Sequence, residues 1–208
     1  MNNLRLLFTI TCVIVLSNNL SAQNTIYHLN GKRINAVKFQ IDNDQDVLFY
    51  QFTKNNGKAL TKSIDLIDVY SIEMSDGTEN YFYTPQEDEY SVETMKLVLG
   101  GKNAALNDYK PYWAFGAGFI LGAGSMLSPY PFYALSVPIA LNVGLAFASP
   151  SKRYISKNYP NNYNDEYFII GYKQSGRNKI LKNSIFGSVA GIGVGIITGF
   201  IIESVSKN

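Results

Sequence analysis

Residues 183–202, Asn-Ser-Ile-Phe-Gly-Ser-Val-Ala-Gly-Ile-Gly-Val-Gly-Ile-Ile-Thr-Gly-Phe-Ile-Ile, contain no charged side chain. As a helix the stretch rises about 30 Å, the thickness of a bilayer's hydrocarbon core. Gly187, Gly191, Gly195 and Gly199 follow one another at four-residue steps. A helix therefore carries them along one side, as a groove open to the backbone of another helix. Each glycine costs a water-exposed helix about 1 kcal/mol relative to alanine. Such a stretch belongs in a membrane, and the rest of the chain is expected to supply what packs against it.

The 208 residues have room for one or two domains. Charged residues make up 16%, against about 25% in soluble domains, and the deficit is local: residues 112–148 carry no Asp, Glu, Lys or Arg. The net charge of +2 hides a split, with thirteen acids and nine bases in 23–110 but seven bases and two acids in 149–182. No segment has the dense Lys/Arg surface of a nucleic-acid binder, so nucleic acid is not an expected partner. The one cysteine, Cys12, lies in the N-terminal apolar run, which removes disulfides and cysteine-ligated metal from a mature chain.

Residues 1–22 read as a secretory signal peptide: Arg5, the apolar run Leu6–Leu16, and the small residues Ser21-Ala22 before a cut. The rival is an uncleaved anchor, for which the apolar run is short. Either way, the residues that follow are exported.

Residues 23–85 read as a small β domain. Asn30-Gly31, Asn56-Gly57 and Asp76-Gly77 are dipeptides that two-residue hairpin turns favour, because both central positions need positive φ. Val37, Phe39 and Ile41 alternate with polar residues as in a half-buried strand, and Val47–Phe52 reads as a central strand apolar on both faces. Five or six antiparallel strands in a meander are expected, closing into a small sheet or SH3-like barrel. Asp42-Asn-Asp-Gln-Asp46 resembles the start of a calcium loop, but Val47 and Thr53 stand where an EF-hand-type loop needs Gly and Glu, so a solvated turn is expected. His28, the only histidine, has no partners for a metal cluster or a triad. No catalytic residue, metal, cofactor or small-molecule substrate is assigned, and no enzyme activity is expected.

Residues 86–111 are expected to form a bridge of two short amphipathic helices broken at Gly100-Gly101. In 112–148 two charge-free runs flank Ser128-Pro-Tyr-Pro131, which points to a transmembrane helical hairpin. Ala114, Gly118 and Gly122 repeat the four-residue spacing and form a small-residue face suited to the one in 183–203. An i, i+4 row drifts about 40° per step, so such faces favour a right-handed crossing. Tyr109, Tyr112, Trp113 and Tyr130 sit at the run ends, where a membrane–water interface concentrates aromatic rings. Asn142, the one strongly polar residue of the second run, is expected to hydrogen-bond a neighbouring helix.

Residues 149–182 form a basic, tyrosine-rich loop. Asp165 is placed to cap an interfacial helix that ends in Lys179 and Lys182, residues suited to lipid headgroups. Residues 204–208 are a short tail. The signal peptide puts the β domain in the periplasm, and two crossings return the basic loop to the same side. Lys/Arg-rich loops prefer the cytoplasm, however, so the location of this loop stays open between three crossings and a re-entrant run.

The order of parts resembles a family of Gram-negative envelope proteins. The likeness is carried by Thr25–Arg33, by Gly101 and Asp108-Tyr-Lys110 before Phe115-Gly-Ala-Gly118, and by Ser149-Pro150. Asn158-Tyr-Pro160, Gly171-Tyr-Lys173, Lys182-Asn183 and Phe186-Gly187 add to it. The resemblance implies a signal peptide, a β domain and glycine-rich membrane helices in the envelope, and no activity. The expected fold is thus an α+β membrane protein: a small β meander or SH3-like barrel, amphipathic helices, and about three transmembrane helices in the inner membrane. The expected role is an interaction or scaffolding module whose partners are the lipid bilayer and an envelope protein. The alternative is a small oligomeric channel or transport accessory built from several copies.

Overall fold

The computed structural model describes residues 23–54, 56–128 and 131–206. The expected signal peptide, Tyr130 and the last two residues of the tail lie outside them. The chain forms two compact units, one from the residues up to 29 and 33–84, the other from 30–32 and 85–208. The class is α+β, with antiparallel sheets first and helices after.

The first unit contains β1 (Asn24–His28), β2 (Arg33–Ala36), β3 (Lys38–Asp42), β4 (Val47–Thr53), β5 (Ala59–Asp65), β6 (Val69–Glu73) and β7 (Glu79–Tyr81). These seven described strands form two sheets, in the orders β2-β1-β6-β7 and β3-β4-β5, instead of the expected five- or six-strand meander. The departure is the pairing of β1 with β6, which sets Ile26 opposite Ile72. Both side chains are fully buried, together with Ala36, Leu48 and Val69. β4 is the central strand of its sheet, as expected, but only one face is covered: Leu48 and Tyr50 are buried while Phe49 is 39% exposed.

The turns also differ in kind. Among the described residues only Asp46 and three glycines, Gly31, Gly57 and Gly77, have positive φ, so the residues before those glycines do not adopt it. Met74 N–H donates to Thr78 O (2.7 Å) and Gly77 N–H to Met74 O (2.9 Å), which closes a three-residue loop with the glycine in the left-handed position. Lys54, Gly57 and Lys58 repeat the pattern. Asn30, Asn56 and Asp76 each accept the backbone N–H two residues on, at 2.9, 3.2 and 2.8 Å. This side-chain bond supports the bend in place of a second positive φ. The bond from Thr78 holds the Asp76 carboxyl below its usual range. Asp42 closes its own turn, accepting from Asp44 N–H and Gln45 N–H.

The second unit contains α1 (Val92–Asp108), α2 (Tyr112–Met126), α3 (Pro131–Leu145), α4 (Lys152–Asn158) and α5 (Glu166–Ser206). The expected two-helix bridge is one helix: α1 starts at Ser91, whose Oγ accepts Thr94 N–H (3.2 Å), and runs through Gly100-Gly101 without a break. Asp165 does cap the helix expected within 149–182, accepting from Tyr167 N–H (3.0 Å) and Phe168 N–H (3.1 Å). That helix does not end at 182, however. The expected interfacial helix and the 183–203 segment are one helix of 41 residues, about 60 Å long. The region 149–182 also holds α4, an unexpected helix capped by Ser151.

Among the described residues, α5 alone is long and apolar enough to cross a membrane. With 15 residues each, α2 and α3 rise about 22 Å, short of a 30 Å hydrocarbon core. Length therefore supports one crossing where about three were expected.

Candidate functional site

The residues the sequence singles out meet along one side of α5. Gly187 lies against the carbonyl of Phe115, Gly191 against that of Phe119, and Gly195 against Ala123 and the Met126 side chain. From the other helix, Gly118 lies against Ser184 and Ser188, and Gly122 against Ser188 and Ile192. A Cβ at any of these five glycines would run into backbone or a packed side chain, so the approach exists because the side chains are missing. Both sets of numbers rise together, so α2 and α5 run parallel. Ala114 is fully buried. Gly199 faces open space, as do Gly116, Gly124, Gly144 and Gly193.

The same row continues towards the N-terminus of α5 in steps of four, through Asn183, Lys179, Ser175 and Gly171. Asn183 Nδ2 donates to Pro111 O (3.2 Å). Lys179 Nζ donates to Leu106 O (2.5 Å) and Tyr109 O (2.9 Å). Gly171 sits on the carbonyl of Val98, while Gly101 of α1 sits on that of Phe168. One row of α5 thus follows α1 and α2 in turn. Glycine serves where backbone meets backbone, and Lys179 and Asn183 serve where the helical run is interrupted at 109–111 and carbonyls open to side-chain donors, Pro111 O taking Asn183 in addition to Ala114 N–H.

Gly101, Gly171, Ser184 and Ser188 were missed from the sequence. Counting the glycine spacing back from Gly187 would have reached Gly171, but the charges between 173 and 182 mask it. Ser188 Oγ also accepts from Asn142 Nδ2 (3.2 Å), so Asn142 of α3 does bond a neighbouring helix. Asn142 Oδ1 and Ser184 Oγ are buried without a hydrogen-bond partner.

The residues expected at a membrane surface are placed differently from one another. Tyr112 is 72% and Trp113 54% exposed. Tyr109 is half-buried, edge-on to the rings of Tyr154 and Tyr172. Lys179 is half-buried on its two carbonyls. Lys182 is exposed, its ammonium 5.9 Å from the Phe186 ring centroid. Around Tyr109 lies an aromatic cluster with Tyr159, Phe168 and the fully buried Tyr172. Burial and the nearby Asp108 carboxylate, to which the Tyr159 hydroxyl donates, push the Tyr159 phenol up to about 12.

Among the described residues no group of His, Cys, Asp and Glu could hold a metal ion. Comparison with protein-family models, with curated proteins and with solved structures finds no match. What the arrangement can do physically is hold an apolar helix against a second one at backbone distance.

Proposed function

We propose that the chain is a non-enzymatic membrane protein of the cell envelope, anchored by its helical unit, with the β unit recognising or scaffolding an envelope partner. The observation that carries the anchor is the outer surface of α5 and α3. Val189, Ile197, Phe200 and Val205 of α5 are 63%, 62%, 69% and 70% exposed, and Leu135, Ile139 and Val143 of α3 are 58%, 61% and 59% exposed. So continuous an apolar surface is unfavourable in water and suits lipid. The parallel course of α2 and α5, with α3 between them in the chain, supports three crossings in the inner membrane. With the β unit exported by the expected signal peptide, this leaves it and residues 149–182 periplasmic. Local thinning of the bilayer accommodates helices as short as α2 and α3.

The channel alternative needs a face for self-assembly. Gly187, Gly191 and Gly195 are already occupied by α2 of the same chain, which favours the scaffold reading. Cross-linking in native membranes tests the choice. The scaffold reading expects one heterologous partner, lost when Phe49 and Ile67 on the exposed β surface are changed to Asp. A ladder of self-cross-linked copies without a partner would favour the channel.

A further inference from the structure

The interruption between α1 and α2 leaves a cavity of about 450 Å³, walled by Leu106, Lys110 and Tyr112 on one side and by Asn178, Lys179 and Lys182 on the other. Its place along α5 is what matters. Lys179 and Lys182 are the last charges before the charge-free stretch 183–202, and the exposed rings of Tyr112 and Trp113 begin α2 at the same level. If α5 is inserted as proposed above, on which this inference rests, the cavity opens at the depth of the phospholipid headgroups.

We infer that this cavity binds the phosphate of an anionic phospholipid, with Lys110 and Lys182 as its cationic walls. The Lys179 ammonium has three protons and gives two to Leu106 O and Tyr109 O, so one N–H direction is left for a ligand. Lys110 acts on that ammonium through space, and so does Asp108 with opposite sign. The Asp108 carboxylate, however, already accepts the Tyr159 hydroxyl. Four lysines, Lys32, Lys110, Lys179 and Lys182, against one engaged carboxylate leave the cavity cationic. A phosphate there places its acyl chains along the exposed apolar flank of α2 and α5, which a soluble anion cannot use. Lysines at this depth each favour anionic over zwitterionic lipid by about 1 kcal/mol, or about fivefold each.

The test uses the full-length protein in vesicles of phosphatidylcholine with a minor share of phosphatidylglycerol, read by the lipid that stays bound on extraction into detergent. The wild type should retain phosphatidylglycerol at least twenty-five-fold above its share in the vesicle, about fivefold for each of Lys110 and Lys182. K110Q/K182Q should lose about twenty-five-fold of that enrichment, while K152Q/R153Q, on α4, should keep it. Equal enrichment in both variants would overturn the site. Inorganic phosphate at millimolar concentration should not displace the lipid; displacement would assign the site to free phosphate and overturn the lipid reading. Alkaline carbonate washing of the same membranes separates the two ideas. A protein that washes off contradicts the membrane anchor itself, whereas one that stays but shows no enrichment contradicts only the lipid site.

Discussion

The two units use glycine for opposite reasons. In the β unit Gly57 and Gly77 sit in open space, and what they contribute is a left-handed φ of 77° and 87° that closes a hairpin. In the helical unit Gly118, Gly122, Gly187 and Gly191 have ordinary helical backbones, and what they contribute is the missing Cβ. The cores differ in step. Ile26, Leu48, Val69 and Ile72 fill the β unit with side chains, whereas α2 and α5 meet at their backbones and leave large side chains facing outward. Water drives the first arrangement through burial of apolar area. The second lacks that drive if its surroundings are lipid, and relies on close van der Waals contact.

Substitutions can break this contrast in order of size. Gly191→Leu puts a side chain onto the Phe119 carbonyl, where only backbone could yield. Its cost should exceed about 3 kcal/mol, beyond ordinary overpacking, read as a collapse of the thermal transition in detergent. An unchanged transition would refute the contact. Leu48→Ala should cost about 3 kcal/mol through the cavity it leaves, seen in denaturant unfolding followed by β-sheet circular dichroism, with the helical signal unaffected. Gly77→Ala should cost about 1 kcal/mol, because alanine meets no neighbour there but resists the left-handed region. Gly193→Ala should be the mildest and opposite in sign, stabilising by up to about 1 kcal/mol, since that helical glycine faces open space. If Gly191→Ala proved as harmless as Gly193→Ala, the two kinds of glycine in α5 would not differ as argued.

Legibility from the sequence follows the same division. The hairpin turns were readable because an Asn-Gly or Asp-Gly signal is local; their three-residue form was not, because it depends on the Asx side chain bonding two residues on. Likewise, alternation marked the strands but could not show that β1 pairs with β6, more than forty residues away. Gly100-Gly101 read as a break because inside an isolated helix glycine only weakens. Its advantage lies in Phe168 and Tyr172, far along the chain. The glycine row of α5 was legible from 187 onward, and so was its partner face at 114–122. Lys179 and Asn183 read as headgroup residues or as the start of a new segment, since nothing local reveals that they bond the carbonyls of an interrupted neighbour. The length of α5 was hidden for the same reason: a charged first half and an apolar second half look like two elements.

The proposed anchor requires the second half of α5 to cross a bilayer with the basic first half left outside it. Reporter fusions after residues 60, 165 and 208 test it most directly. The account predicts periplasmic activity at 60 and 165 and cytoplasmic activity at 208. Reporters at 165 and 208 on the same side would contradict it.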